Sequence, residues 1–225
     1  MMNAKNRLWK AALLFLIATI LKSAIVNGQE AVHYNLDQLL HDNRLIIQPG
    51  QKVETLNEPQ YPGISLQRVV WIKDLAFDEG RIDVDLRGRD VFLQSFLGIA
   101  FHGVDNARYE VVYFRPFNFR HPDTSRRKWS VQYMSLPEYD YSILRKEHPM
   151  IYENSVDPVP GADDWFHATV MISSDSIKVY VNHSAQPSLN VKKLNSIHSG
   201  MIGLWDDGLP GDFSNLSIHQ KNKHK

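Results

Sequence analysis

The chain has no cysteine in its 225 residues. Disulfide bonds and lipid attachment to an N-terminal thiol are therefore excluded, so the folded protein has to be held together by its core alone. Helical periodicity is nearly as scarce, and the best candidate for a helix is the short segment 33–40. These two absences indicate a β-rich chain without covalent cross-links.

Net charge is absent as well, since 25 lysines and arginines balance 25 acidic residues. Four of the basic residues, Lys5, Arg7, Lys10 and Lys22, lie in the first 28 positions, which contain no acid. The rest of the chain therefore carries four more acidic than basic residues. A mildly acidic surface lacks the positive field that binds a phosphate backbone, and we expect no nucleic-acid partner.

Long hydrophobic runs are also missing. The run at 11–21 is shorter than the roughly 20 residues that span a bilayer, and Lys22 interrupts it. A basic stretch precedes this run and the small residue Gly28 follows it, which is the pattern of an export signal. We predict a signal peptide over 1–28, a secreted or periplasmic mature chain, and no membrane span in that mature chain. An uncleaved anchor is the alternative.

Short β-like runs separated by turn residues fill the sequence from Asn43 onward. Ten candidate strands follow from this pattern: 44–48, 65–72, 80–87, 92–102, 108–115, 129–135, 165–173, 177–182, 201–205 and 213–219. Their number and spacing predict an all-β fold, a two-sheet antiparallel β-sandwich. We assign the sandwich to 43–219, a short N-terminal extension to 29–42 and a basic tail to 220–225.

The longest irregular stretch runs from Leu136 to Asp164 and is rich in proline, tyrosine and glutamate. A loop of this length in a compact domain is usually functional or a lid, unless it contains unrecognised strands. In the candidate strand 92–102, alternation leaves Gly98, Ala100 and His102 on one face and the large apolar residues on the other. The small face predicts a shallow ligand-binding concavity, with a sheet covered by a loop as the alternative.

Several segments together resemble the concanavalin A-like lectin/glucanase superfamily. They are 96–101, 109–119 with the sequence Tyr-Glu-Val-Val-Tyr-Phe-Arg-Pro-Phe-Asn-Phe, 131–133, 164–167, and 202–205 leading into 211–216. Within the superfamily they look closest to exported bacterial domains of the laminin-G-like or 3-keto-disaccharide hydrolase kind. The resemblance implies a jelly roll with a curved, ligand-facing sheet. Similar domains sometimes hold a structural calcium near the last strand, which makes Asp212 a candidate ligand, although a turn residue is the simpler interpretation.

Motifs for catalysis are mostly missing. The superfamily's laminarinase-type glycosidases carry Glu-x-Asp-x-x-Glu on one strand, and this spacing does not occur in the chain. Asp83 and Asp85 share a strand face with Arg87, which indicates a solvated face instead. If the protein is an enzyme, His102 or Glu110 would be the acid or base of a glycoside-cleaving reaction, and whether it is one stays open. We expect no cofactor.

Side chains that suit a sugar are concentrated on the central strands and the long loop. Sugars present alternating hydroxyl groups and apolar faces, which amides, guanidinium groups and aromatic rings complement. The candidates are His102, Tyr113, Arg115, Asn118, Arg120, Gln132, Tyr139 and Trp165. The leading hypothesis is an exported domain that recognises a carbohydrate on its concave sheet. A hydrolase of the 3-keto-disaccharide type and an adhesion or structural module that contacts another protein are the alternatives.

Overall fold

A computed structural model of the protein describes residues 31–221, and within this range two antiparallel sheets face each other across one core. The eight-stranded sheet comprises β1 (Val32–Tyr34), β3 (Val53–Thr55), β4 (Gly63–Leu66), β6 (Gly80–Arg87), β11 (Phe166–Ile172), β12 (Ser176–Val181), β13 (Leu189–Lys192) and β15 (Gly211–Gln220). The seven-stranded sheet comprises β2 (Leu45–Ile46), β5 (Val70–Phe77), β7 (Ser95–Gly103), β8 (Tyr109–Phe114), β9 (Val131–Leu136), β10 (Glu153–Asn154) and β14 (Gly200–Gly208). The predicted antiparallel sandwich is confirmed.

Strand order fixes which residues become neighbours. The eight-stranded sheet runs β13-β12-β11-β6-β15-β4-β3, with β1 beside β15, and the seven-stranded sheet runs β10-β9-β8-β7-β14-β5-β2. The middle of the seven-stranded sheet is therefore β9, β8, β7 and β14. Tyr113 on β8 lies opposite Gln132 on β9, so these two side chains share a face.

The core follows the period of two that the sequence shows. On β7, Leu97, Ile99 and Phe101 are buried between the sheets, and Val84 and Leu86 of β6 belong to the same apolar cluster. Each such side chain contributes roughly 1.5–3 kcal/mol by leaving water, and this burial substitutes for disulfide bonds.

Four short helices occur in the described residues: α1 (Leu36–His41), α2 (Pro116–Phe119), α3 (Thr124–Arg127) and α4 (Tyr141–Glu147). Asp123 caps α3 and Asp140 caps α4, each accepting a hydrogen bond from a backbone N–H two residues later. Helices α2 and α3 connect β8 to β9, and α4 lies between β9 and β10. All three therefore lie next to the middle of the seven-stranded sheet.

Two sequence-based boundaries differ from the structure. The predicted strand 65–72 is wrong, because it divides into β4 and β5, which belong to different sheets. The chain changes sheet at Arg68, whose φ of +59° breaks the extended backbone. Within the predicted N-terminal extension 29–42, β1 pairs with β15, and Leu36 of α1 is buried in the core.

The irregular stretch 136–164 contains a helix and a strand, α4 and β10, which the sequence pattern did not identify. The predicted signal peptide over 1–28 and the end of the basic tail, 222–225, lie outside the described residues. Between residues 31 and 221 there is no helix long and apolar enough to cross a membrane.

Candidate functional site

A cavity of about 300 Å³ lies on the outer face of the seven-stranded sheet, the face turned away from the core. Strands β7, β8, β9 and β14 form its floor, and α2, α3 and α4 contribute its walls. Aromatic rings and guanidinium groups predominate among the residues that line it: Leu93, Phe96, Tyr113, Arg115, Phe117, Asn118, Arg126, Trp129, Met134, Tyr141, Arg145, Trp205 and Asp207. Its size and mixture of apolar and polar groups are those of a small-ligand site.

Arg115 organises the floor of this cavity. One of its terminal nitrogens donates hydrogen bonds to the Tyr113 hydroxyl and to Gln132 Oε1, and the other donates to the Trp129 carbonyl at 2.9 Å. The Tyr113 hydroxyl donates to the same Gln132 oxygen at 2.7 Å. Burial raises the pKa of Tyr113 to about 12, so this hydroxyl keeps its proton at neutral pH. The three side chains form one closed, preorganised unit.

Ion pairs link Arg115 to Glu153 and, through it, to Arg145 on helix α4. Glu153 Oε2 lies 3.6 Å from Arg115 Nη1 and 3.1 Å from Arg145 Nη2, so one buried carboxylate serves two cations. Glu110 on β8, five residues before Arg115, takes no part in these ion pairs, because its side chain lies on the opposite face of the strand and contacts His102 and Tyr133. Burial lowers the pKa of Arg115, and the nearby Tyr113 and Glu153 oppose this effect.

Aromatic rings form the walls. Trp129 contacts two guanidinium groups, with Arg145 Cζ at 4.6 Å and Arg126 Cζ at 5.9 Å from its ring centre. Across the floor, the ring centres of Tyr113 and Trp205 are 5.1 Å apart. Flat rings held by cation–π contacts provide rigid apolar surfaces beside hydrogen-bonding groups.

Two buried polar atoms at this site have no hydrogen-bond partner among the described residues, Asn118 Oδ1 and Gln132 Nε2. The amide nitrogen of Asn118 donates to the Trp129 carbonyl at 3.1 Å, which fixes the side chain against the cavity wall. Buried polar atoms in folded proteins are nearly always paired. One acceptor and one donor beside the cavity are therefore left without a partner among the described residues.

Four of the eight predicted ligand residues come together here. Tyr113, Arg115 and Asn118 line the cavity, and Gln132 supports them from the next strand. The sequence also predicted a shallow concavity on the face of Gly98 and Ala100. Gly98 lies opposite Tyr113 on β8 and Trp205 on β14, and both of these residues line the cavity. Ala100, on the same face, is covered by an aromatic cluster in which Trp205 Nε1 donates to the Tyr109 hydroxyl at 2.9 Å.

Three other predicted residues lie outside the cavity. Trp165 precedes β11 of the opposite sheet, stacks on Tyr61 at 4.4 Å and donates through Nε1 to Glu58. Arg120 donates to the Val159 carbonyl at 3.3 Å. Tyr139 pairs through its backbone with Ser135 at the end of β9. None of the three is among the lining residues of the cavity that the described chain forms.

His102 and Glu110, the candidates for a catalytic acid or base, meet inside the sandwich and not in the cavity. His102 Nδ1 lies 2.9 Å from Glu110 Oε2, and Nε2 lies 2.6 Å from the Asp78 carbonyl oxygen. Tyr133 donates its hydroxyl to Glu110 Oε1 at 2.8 Å, and Lys193 Nζ is 3.5 Å from Glu110 Oε2. Glu110 is 0% exposed and His102 1% exposed, so a substrate has no access to them in this structure.

Sequence reasoning missed the lining residues that α3, α4 and the strand ends supply. They are Arg126, Trp129, Tyr141, Arg145, Trp205 and Asp207. Trp205 is buried, but on the outer face of its sheet. The alternation of Trp205 with Leu204 was the one signal that could have assigned it to this face.

Asp212, the candidate calcium ligand, is already paired with two guanidinium groups. Arg87 Nε and Arg89 Nη2 each donate to Asp212 Oδ2 at 2.9 Å. A calcium ion at this oxygen would have to displace both or bind beside their positive charges. In the part of the chain that the structure describes, no cluster of three or more histidine, aspartate or glutamate residues could hold a metal ion.

The outer face of the eight-stranded sheet is not the solvated acidic face that the sequence predicted. Asp83 is 5% exposed and accepts hydrogen bonds from Arg81 at 2.7 Å and Thr169 at 2.5 Å. His167 lies between Asp83 and Asp85, with Nδ1 2.7 Å from Asp85 and Nε2 3.3 Å from Asp83. Burial alone would lower the pKa of His167, but the two carboxylates outweigh it and raise the pKa to about 9.

The ion pairs of His167 with Asp83 and Asp85 make the free energy of unfolding decrease at alkaline pH. Because the pKa of His167 is higher in the folded chain than its value of 6.5 when unfolded, the contribution is complete below pH 6.5 and is lost as pH rises through 9. Solvent screening of the half-buried ring reduces the effect to about 1–2 kcal/mol. Urea unfolding from pH 6 to pH 10 should show this loss for the parent and a smaller one for His167→Gln. His198→Gln, at an exposed position, is the control. If the free energy of unfolding fell equally with pH in all three proteins, the loss would not come from His167.

No protein-family model matches the chain, and no curated protein matches its sequence. Solved structures do resemble it. A Bacillus subtilis protein of unknown function with a galectin-like fold matches with a TM-score of 0.57 and 11% identity over 86% of this chain and 96% of the other. A Parabacteroides distasonis protein, provisionally described as a glycosyl hydrolase, matches with a TM-score of 0.50 and 12% identity over 80% and 89%.

A carbohydrate-binding module from Bacillus subtilis also matches, with a TM-score of 0.49 and 12% identity over 74% of this chain and 93% of the other. At these identities the similarity defines the fold alone. The chain has a two-sheet, concanavalin A-like jelly-roll fold, as the resemblance in its sequence implied.

Proposed function

We propose that this protein binds a carbohydrate in the cavity on the outer face of its seven-stranded sheet. The observation that carries the proposal is the joint presence of rigid rings and fixed planar hydrogen-bonding groups around one small space. Rings pack on the apolar face of a sugar, and guanidinium and amide groups bond its hydroxyls. The Parabacteroides distasonis structure, described as a glycosyl hydrolase, supports sugars as the ligand class in general.

The carboxylates at the cavity favour binding of a glycan over its hydrolysis. Glycoside hydrolysis generally uses two carboxyl groups on either side of the scissile bond. Among the described residues, Asp207 is the one carboxylate that lines the cavity. Glu153 is engaged by Arg145 and faces Arg115, so neither proton donation nor nucleophilic attack suits it. The proposal is therefore a binding protein, exported by the signal that the sequence predicts.

A glycan array probed with the purified chain tests the proposal, followed by titration of any glycan that binds. We expect Trp129→Ala to weaken binding by about tenfold to a hundredfold, since stacking on a rigid ring is lost. Trp165→Ala is the matched control, because Trp165 lies next to the opposite sheet. This variant should bind the glycan as tightly as the parent does. If Trp165→Ala lost affinity and Trp129→Ala did not, the binding site would lie on the other sheet. An array without any bound glycan would refute carbohydrate binding.

A further inference from the structure

The cavity has an excess of positive charge. Three guanidinium groups line it, those of Arg115, Arg126 and Arg145, against one lining carboxylate, Asp207. A second carboxylate, Glu153, lies beside the cavity and is already shared by Arg115 and Arg145. This balance differs from that of the whole chain, in which acidic and basic residues are equal in number. The positive charge is therefore concentrated at this place.

Arg126 is the cation whose charge is least compensated. Its nearest carboxylate is Asp123, 4.0 Å away at the other end of the short helix α3. Its guanidinium carbon lies 4.7 Å from the Phe92 ring centre and 5.9 Å from that of Trp129, so aromatic rings hold it in place. Its backbone N–H donates to the Asp123 carbonyl at 3.1 Å, but its guanidinium donates no hydrogen bond to any residue between 31 and 221. A stacked guanidinium keeps its in-plane N–H donors available to a ligand.

The geometry of these donors selects a particular kind of group. Arg126 and Arg145 both contact the Trp129 ring, which places two guanidinium groups around one aromatic surface. A planar carboxylate or a sulfate accepts paired N–H bonds from such forks, and these charge-assisted bonds are about twice as strong as neutral ones. A hydroxyl group has no charge and gains less from the same arrangement.

We infer that the carbohydrate bound here is anionic, a glycan whose sugar units carry a carboxylate or a sulfate group. In this arrangement the acidic group lies at Arg126, with Arg145 adding to the field. Trp129 packs on the ring of the sugar, and Asp207 on β14 accepts bonds from its uncharged hydroxyls. The inference rests on the proposed function, because it assigns the ligand class of the same cavity.

Pairs of glycans that differ in charge alone provide the test. Polygalacturonate would be compared with its fully methyl-esterified form, hyaluronan with its methyl ester, and carrageenan with its desulfated form, each by calorimetric titration of the full chain. We expect at least one charged member to bind tenfold or more tightly than its neutral counterpart. The preference should shrink between 0.05 M and 0.5 M salt, because screening acts on the charge contribution. Binding by the uronates indicates a carboxylate, and binding by carrageenan indicates a sulfate.

Substitutions distinguish a direct contact between Arg126 and the acidic group from a general electrostatic attraction to the protein surface. Arg126→Gln should remove most of the preference for the charged member, whereas Lys128→Gln, which removes the same charge two residues away and outside the cavity lining, should preserve it. Asp207→Asn should strengthen binding of the charged member several-fold by removing a like charge. Equal binding of charged and neutral members would overturn this inference and leave the proposed function intact. Failure of every glycan to bind would overturn both.

Discussion

Arg115→Ala is expected to weaken binding of the cavity's glycan by about a hundredfold, equivalent to about 3 kcal/mol. The substitution removes the donors that hold Tyr113, Gln132 and the Trp129 carbonyl in one arrangement. It also leaves Glu153 with one cation instead of two. Titration of a glycan identified on the array, with thermal unfolding of the same samples, measures the effect.

Two further variants separate a positioning role from general destabilisation. Arg115→Lys keeps the charge but replaces the planar fork by a single ammonium group, so it should retain the fold and still lose most of the affinity. Asp83→Asn disrupts a buried hydrogen-bonding cluster on the opposite sheet and should lower the melting temperature without changing the affinity. Parent-like affinity of Arg115→Ala at a temperature where it is folded would show that the cavity binds without this residue.

The architecture of the protein could be predicted because alternation is a local property of the sequence. The period of two in Leu97, Ile99 and Phe101 assigns these residues to the core without knowledge of their partners. The failure at 65–72 has an equally local cause. The chain changes sheets at Gln67-Arg68-Val69, which contains neither glycine nor proline, and the positive φ of Arg68 leaves no mark in the sequence.

Alternation also explains which part of the candidate site was predicted. Tyr113 and Gln132 occupy outward positions on paired strands, and Arg115 follows at the end of one of them. Arg126 and Arg145 could not be found in this way. They lie on helices of four and seven residues whose docking depends on contacts between distant segments, and such short helices have no apolar periodicity to read.

His102 shows where alternation itself fails. It was assigned to the face of Gly98 and Ala100, but its φ of +50° and the register shift between Met201 and Gly203 on the neighbouring strand interrupt the period. The ring instead stacks near Phe77 of the core, with 6.0 Å between ring centres, and reaches Glu110. A bulge has thus placed a histidine and a carboxylate, which resemble a catalytic pair in the sequence, inside the sandwich.

Glu110→Gln is expected to lower the free energy of unfolding by about 3–5 kcal/mol, because it leaves a buried ammonium group without its carboxylate. The Lys193 side chain is 2% exposed, and its Nζ atom lies 3.5 Å from Glu110 Oε2. Burial and the adjacent Glu110 raise the pKa of Tyr133, so its hydroxyl remains protonated and donates to this carboxylate. The same variant should still bind glycan at temperatures where it is folded, since Glu110 does not line the cavity.

A double-mutant cycle decides whether the charge of Glu110 or its shape matters. A buried ion pair can often be replaced by uncharged residues of similar volume at little cost, whereas removal of one partner is severe. Lys193→Met combined with Glu110→Gln should therefore recover at least half of the stability that Glu110→Gln loses, when both are measured by urea unfolding at pH 7. Additive losses would mean that the two side chains stabilise the core independently, and that Glu110 acts through its bonds to His102 and Tyr133 instead of through its charge.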